Sequence, residues 1–318
     1  MKIVILDGQT LNPGDNPWTE IEQLGAVEIF ARTPAEEIVN RLAGAQVAVT
    51  NKVPLDRNAF DALTDLQFVA VTATGFNVVD VQAAREKNIP VSNVPIYGTD
   101  TVAQHVFACL LSFLHQPYQH DAAVRNGEWE RRGDFSFCLH SLTELAGLTM
   151  GIVGYGRIGN RVAEIASAFG MQVIAYNPSS KPAPDLNKFE WVSNEELFAR
   201  SDVVSLNCPQ TSENARFVNC DLISTMKPTA ILINASRGGL INESDLAEAL
   251  NQDKLAGAIL DVFSTEPISR DNPLAKAKNC LITPHNAWAT VAARNRLMKT
   301  TADNIRAFQT GNPINVIN

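Results

Sequence analysis

The chain contains no apolar run approaching the ~20 residues needed to cross a bilayer, which excludes a transmembrane helix. Its apolar opening, residues 1–7, is too short for a secretory signal and reads instead as a first strand. Basic residues are few and nowhere clustered: 26 Lys and Arg stand against 34 Asp and Glu, a net charge of −8. That balance favours solubility and argues against a nucleic-acid or membrane surface. Cysteine is sparse too. Cys109, Cys138, Cys208, Cys220 and Cys280 are odd in number, form no C-x-x-C pair and have no histidine cluster nearby. They read as free thiols in a reducing cytoplasm, with no disulfide framework, no structural zinc and no other metal site. No internal repeat or low-complexity tract occurs.

What the chain does have is core. Hydrophobic residues are 45% of 318 and charged residues 19%, a globular composition with room for two domains. Short Val- and Ile-rich runs recur at residues 2–6, 26–30, 46–50, 67–71 and 90–94. A second set lies at 148–153, 172–176, 203–206, 230–234, 257–260 and 280–283. Runs without polar alternation mark strands buried on both faces of a parallel sheet. Alternating with helical stretches, they predict right-handed βαβ units. The expected fold class is α/β with two doubly wound parallel-sheet domains, one flavodoxin-like and one Rossmann-type.

A helix is expected from a capping box at Thr101-Val-Ala-Gln104. Val102, Val106, Cys109, Leu110 and Phe113 then recur at helical spacing, while Phe107, Leu111 and Leu114 make the other faces apolar. A helix apolar nearly all round is buried, either within its own chain or against a second subunit. The second option predicts a homodimer. Residues 181–187, with two prolines, read as a surface loop.

Residues 148–153 run directly into Gly154-Tyr-Gly-Arg-Ile-Gly159, and the helix that follows is closed by Gly170. Gly154 permits the tight turn, Gly156 lets the backbone approach a pyrophosphate, and Gly159 lets the helix pack on its strand. The helix N-terminus, with Arg157 and Ile158, then faces the phosphates. The strand before and the helix after separate a dinucleotide fingerprint from a glycine turn of purely structural use. The next strand ends at Tyr176-Asn177, where such folds place an acidic residue on the adenosine ribose. Asn177 can hydrogen-bond a 2′-hydroxyl but carries no charge to repel a 2′-phosphate, which Ser179, Ser180 and Lys181 could bind. NAD and NADP both stay open.

Three more stretches each follow an expected strand: Asn234-Ala-Ser-Arg-Gly-Gly239, Asp261-Val-Phe-Ser-Thr-Glu-Pro267 and Thr283-Pro-His-Asn-Ala-Trp288. They carry Arg237, Glu266 and His285 to strand ends of one sheet, where open α/β sheets bind ligands. Singly, these are a surface cation, a turn carboxylate and a structural histidine. Together, a guanidinium, a carboxylate and an imidazole can hold an anionic substrate and move a proton. With a hydride-carrying cofactor upstream, they point to hydride transfer to a small oxo acid.

With these motifs in this order over nearly the whole chain, the sequence resembles the D-isomer-specific 2-hydroxyacid dehydrogenases. Thr50-Asn-Lys52, Tyr97-Gly-Thr-Asp-Thr-Val-Ala-Gln104 and His285-Asn-Ala-Trp-Ala-Thr290 are most similar to that family's glycerate dehydrogenase branch. The resemblance implies NAD(P)H-dependent reduction of hydroxypyruvate, and of glyoxylate, to the D-hydroxy acid, with oxidation of D-glycerate as the reverse. It implies that Arg237 binds the carboxylate and polarises the oxo group, that His285 protonates the carbonyl oxygen, and that Glu266 orients His285 and favours its imidazolium form. It assigns Ala73, Thr74 and Gly75 to the substrate carboxylate, Thr101, Cys208, Pro209 and Ala235 to the cofactor, and Asp261 to the nicotinamide amide. Lys52 is either a second cation at the substrate or a surface lysine. Trp288 either walls the pocket near the hydroxymethyl group or packs in a core or interface. Residues 1–98 with 289–318 would form the substrate domain and 99–288 the dinucleotide domain. Asn177 and Asn286 depart from residues common in the family. The first leaves cofactor choice open and the second should alter little. A phosphite dehydrogenase and a nucleotide-sensing corepressor share the trio and compete as readings, while Glu266 argues against formate dehydrogenase.

Overall fold

Every run of Val and Ile expected as a strand is paired in parallel, and the strands sort into two sheets. The computed structural model describes residues 1–179 and 181–318. They divide into two units, Met1–Gly98 with Trp288–Asn318, and Thr99–Ala287.

In the first unit the strands are β1 (Lys2–Ile5), β2 (Ala26–Ile29), β3 (Val47–Thr50), β4 (Phe68–Val71) and β5 (Val91–Ser92). They run in the order β2-β1-β3-β4-β5, the flavodoxin-like order. The inner strands β3 and β4 are buried at every residue, whereas the edge strand β2 is largely exposed. One face packs Val4, Ala48 and Val69 on Ile38, Leu42 and Phe60. The other packs Ile3, Val49 and Phe68 on Ile21, Ala302 and Ile305. The last two belong to helix Val291–Gln309, whose N-terminus is capped by Thr290 Oγ1 accepting the Ala293 N–H at 3.2 Å. Phe308 stacks on Phe68 with ring centroids 4.7 Å apart.

The second unit contains β6 (Thr149–Val153), β7 (Gln172–Tyr176), β8 (Phe189–Trp191), β9 (Val203–Leu206), β10 (Ile231–Asn234), β11 (Gly257–Leu260) and β12 (Cys280–Ile282). Their order is β12-β11-β10-β9-β6-β7-β8. The order reverses between β6 and β9, which is the switch point where such sheets bind ligands. Strand β8 was not among the expected ones: it has three residues, lies at the edge and shows no apolar run. Phe189 and Trp191 on it meet the Tyr155 ring edge-on, with centroids 5.4 and 5.1 Å away.

Helix Thr99–His115 starts two residues earlier than expected. Thr101 is therefore a buried residue inside the first turn, and the expected capping box is not formed there. Asp100 supplies the first-turn acid that complements the positive helix end. Val106, Phe107, Cys109 and Leu110 are buried in the core of this same unit, with Leu111, Phe113 and Leu114 half-buried around it. No helix among the described residues is long and apolar enough to cross a membrane.

Candidate active site

The turn after β6 is shaped by three glycines with three different surroundings. Gly154 has φ +91°, and a Cβ there would fall 2.7 Å from Cys208 N and 2.8 Å from Asn207 C. The turn thus packs on the chain leaving β9. A Cβ on Gly159 would lie 2.2 Å from Gly154 O, so the helix cannot sit this close to its strand with any larger residue. At Gly156 a Cβ would meet nothing within 4 Å. Helix Arg157–Ala168 starts directly after it, with Gly156 and Arg157 exposed. Open space over a helix N-terminus fits the pyrophosphate of a dinucleotide. Ile158 and Ala235 pack half-buried on the adjoining core, and Pro209 is exposed. Cys208 is half-buried, and burial pushes its thiol up.

Asn177 and Lys181 both tie back to this turn. Asn177 Oδ1 accepts the Tyr155 N–H at 3.1 Å, while its Nδ2 donates to Ser179 O and Oγ, each at 2.9 Å. Lys181 Nζ donates to Tyr155 O at 2.7 Å. Ser180, expected beside them, lies outside the described residues. The Tyr155 ring is buried, which pushes its hydroxyl up to about 12.

Parallel register aligns the other strand ends. Asn234 pairs with Leu260, and Leu260 with Ile282, so the stretches carrying Arg237, Glu266 and His285 leave one sheet edge side by side. Asn234 Nδ2 holds Arg237 O at 2.8 Å, and the exposed Arg237 donates from Nη1 to Ser236 O at 2.7 Å. A Cβ on Gly238 would lie 1.9 Å from Phe263 C, so the loops bearing Arg237 and Glu266 touch along their backbones. Glu266 Oε1 accepts the Phe263 N–H at 3.0 Å, and its Oε2 lies 2.6 Å from His285 Nδ1. Since a carboxylate only accepts, Nδ1 carries the hydrogen.

His285 has φ +50°, a left-handed backbone uncommon for any residue with a side chain and held here by its neighbours. Asp261 enforces it. Its carbonyl accepts the His285 N–H at 2.8 Å, and its carboxylate accepts the Asn286 and Ala287 N–H groups, both at 2.9 Å. Thr283 Oγ1 donates to the same carboxylate at 2.6 Å. Asp261, the residue expected at the nicotinamide amide, is 2% exposed, and both of its carboxylate oxygens accept hydrogen bonds from this turn. A buried charge has to be matched by donors, and these three supply them.

The remaining expected contacts belong to the first unit. Lys52 and the stretch 73–75 follow β3 and β4, whose ends Thr50 and Val71 are paired. The N–H groups of Asn51, Lys52 and Val53 converge on the buried Asp7 carboxylate at 2.9, 2.5 and 3.2 Å. Burial pushes the Asp7 carboxyl up, against these backbone donors, which pull it down. Ala73 O accepts the Val94 N–H at 3.1 Å, and Thr74 Oγ1 donates to Val94 O at 2.8 Å. Trp288 lies edge-on to Tyr97 at 6.2 Å and packs on a small cluster of Leu11, Val94 and Leu297.

Two residues in these networks escape the reading of the sequence. Asp7 lies two residues past β1 and obeys the strand-end rule that locates the others. His105, an imidazole among apolar helix positions, has Nε2 3.2 Å from Thr283 Oγ1. Among the described residues no group of three His, Cys, Asp or Glu side chains is placed to hold a metal ion.

Known proteins are similar to this chain over its whole length. Residues 107–287 match the D-isomer specific 2-hydroxyacid dehydrogenase family in its NAD binding domain. A hydroxypyruvate reductase of Blautia hydrogenotrophica is 47% identical over 321 aligned residues, covering 100% of both chains. A glycerate dehydrogenase of Methylorubrum extorquens is 36% identical, covering 99% of this chain and 98% of its own. Among solved structures, an acyclic imino acid reductase in complex with NADPH and D-Arg is 32% identical, with a TM-score of 0.85 over 100% of both chains. A whole-length match of this kind, on top of a glycine turn and a trio at one sheet edge, leaves a single conclusion: the chain belongs to the D-isomer specific 2-hydroxyacid dehydrogenase family.

Proposed function

We propose that this protein reduces a small 2-oxo acid, hydroxypyruvate and also glyoxylate, to the D-2-hydroxy acid with a nicotinamide dinucleotide, and oxidises D-glycerate in reverse. The observation that carries this reading is the 2.6 Å contact of His285 Nδ1 with Glu266 Oε2, at the same sheet edge as the glycine turn. With Nδ1 donating to Glu266, Nε2 is the nitrogen that hands a proton to the carbonyl oxygen and takes it back in the oxidation. Glu266 keeps the ring in that orientation. Arg237 grips the substrate carboxylate with its planar fork of donors and polarises the oxo group. When bound, the reduced dinucleotide supplies the hydride to the carbonyl carbon. Gly154, Gly156, Arg157, Ile158 and Gly159 would hold its phosphates, with Thr101, Cys208, Pro209 and Ala235 as further contacts. The relatives named for hydroxypyruvate and glycerate support the choice of substrate.

The first unit takes the substrate role in this reading. Backbone amides of Ala73, Thr74 and Gly75 bind the carboxylate, Lys52 adds a cation, and Trp288 borders the hydroxymethyl group. Either NAD(H) or NADP(H) fits this reading, because Asn177 is uncharged and Lys181 is drawn to the glycine turn. A structural relative solved with NADPH supports that latitude. The enzyme works in the cytoplasm as a homodimer; the free cysteines and the half-buried Leu111 and Leu114 support this.

The test is absorbance at the nicotinamide band with NADH or NADPH against hydroxypyruvate, glyoxylate, pyruvate, phenylpyruvate and phosphite. Oxidation is expected with the first two, and none with any 2-oxo acid would sink the reading. His285→Ala should abolish turnover and keep cofactor binding, and full activity in that variant would remove its assigned role.

A further inference from the structure

Beneath the His285 turn runs a polar chain that the reaction as described does not use. Thr283 Oγ1 donates to Asp261 Oδ1 at 2.6 Å, since a carboxylate can only accept. The Thr283 oxygen is left to accept, so His105 Nε2, 3.2 Å away, carries the hydrogen between them. Asp261 passes the constraint on: Oδ1 accepts the Asn286 N–H, Oδ2 accepts the Ala287 N–H, and its carbonyl accepts the His285 N–H. The chain has one direction, from an imidazole on helix Thr99–His115 to residues 285–287. Its far end is the left-handed backbone of His285, at φ +50°.

The surroundings give His105 weight. Its Nε2 lies 3.8 Å from Asp261 Oδ1, and that carboxylate is 2% exposed. A half-buried donor beside a buried charge is costly to lose. Cys109 Sγ, 3.3 Å from the same nitrogen, adds no charge of its own. Burial, and after it the Asp261 carboxylate, push that thiol up to about 11.

We propose that His105 is a positioning residue for proton transfer at His285, acting through Thr283 and Asp261, and resting on the reading of His285 as the proton donor. His105 orients the Thr283 hydroxyl onto Asp261. Asp261, so fixed, keeps the amides of Asn286 and Ala287 and with them the backbone that aims the His285 ring. A displacement of about 1 Å at a reacting group can cost ~100-fold in rate.

Three variants test this. His105→Leu removes the donor, Thr283→Val cuts the chain one link later with little change of shape, and His105→Gln restores a donor on a flexible side chain. Two readouts are needed: amide hydrogen exchange of the cofactor-free protein, and kcat and KM with hydroxypyruvate. In H105L and T283V, exchange at Asn286 and Ala287 should quicken while β6 and β9 stay protected. Their kcat should fall about 10- to 100-fold, with cofactor KM changed less than roughly threefold. H105Q should recover most of both effects. Unchanged exchange at Asn286 and Ala287 in both H105L and T283V would overturn the proposal. So would a loss of kcat that Gln does not restore and that accompanies faster exchange across β6 and β9. If the wild type reduces no 2-oxo acid, the proposed function fails, and the exchange readout still decides whether His105 holds the turn.

Discussion

Replacing Gly156 with alanine separates a glycine that serves a ligand from two that serve the fold. Gly156 has φ −86° and ψ −161°, an extended conformation open to any residue, and its added methyl would meet no atom within 4 Å. The variant loses part of the N-cap preference that glycine holds over alanine, about 1 kcal/mol or less. Lower entropy of the unfolded chain returns ~0.4–1 kcal/mol. The net change is within about 1 kcal/mol, or roughly 2–4 °C in Tm for a protein of this size. Gly159→Ala instead sets a methyl 2.2 Å from Gly154 O, and Gly154→Ala one 2.7 Å from Cys208 N at φ +91°. Both press on backbone, which cannot swing aside, so each should lose ~1–3 kcal/mol or more. For a pyrophosphate over the helix N-terminus the order is reversed. The Gly156→Ala methyl occupies its place, and a clash of ~1–3 kcal/mol weakens NADH about 5- to 150-fold. Calorimetry gives Tm, and titration of NADH fluorescence gives Kd. A folded Gly156→Ala protein with wild-type Kd would remove the pyrophosphate from this turn. A Tm loss as large as that of Gly159→Ala would show that the space is not open.

Glu266→Gln replaces the charged acceptor of His285 Nδ1 and should lower kcat about 10- to 150-fold, the equivalent of a charge-assisted hydrogen bond of ~1.5–3 kcal/mol. Unaltered steady-state kcat would uncouple the two residues. In the first unit, the Arg294 guanidinium beside Asp15 holds that carboxyl below the usual carboxylate range. A depressed folded value contributes stability that is present above ~3.9 and lost as pH falls below it. Asp15→Asn should therefore be less stable than wild type in urea at neutral pH, with the gap closing as pH falls below the ordinary carboxylate range. A gap that does not change with pH would refute this. Cys138 and Cys220 are exposed, whereas burial pushes the Cys109 and Cys280 thiols up to about 11 and about 12. Maleimide followed by mass spectrometry should mark Cys138 and Cys220 in the folded protein and Cys109 only after unfolding; early labelling of Cys109 would contradict its burial.

Much of the fold is legible in the sequence because parallel strands covered on both faces must be apolar throughout, and apolar runs are a local signal. Strand β8 has no such signal: Phe189-Glu-Trp191 is short, lies at an edge, pairs with β7 and packs on the Tyr155 ring. The helix start was misplaced at Thr101 because a capping box is a pattern of residue types. The chain had already turned helical at Thr99.

The glycine turn and the trio of Arg237, Glu266 and His285 were legible for a related reason. Each glycine answers a constraint set by its immediate neighbours, and each member of the trio stands a few residues past its own strand. The supporting contacts answer to nothing local. His105 meets Thr283 across 178 residues, and Asp7 meets Asn51 across 44. Neither pair has a periodicity or spacing that links its members. The sequence alone determined two parallel sheets, a dinucleotide turn and the residue types at the strand ends, since periodicity and turn chemistry act over a few residues. Only the tertiary structure decided that Asp261 faces the His285 turn, with His105 behind it. A buried charge takes whichever donors the packed chain brings within ~3 Å, and that depends on the whole fold.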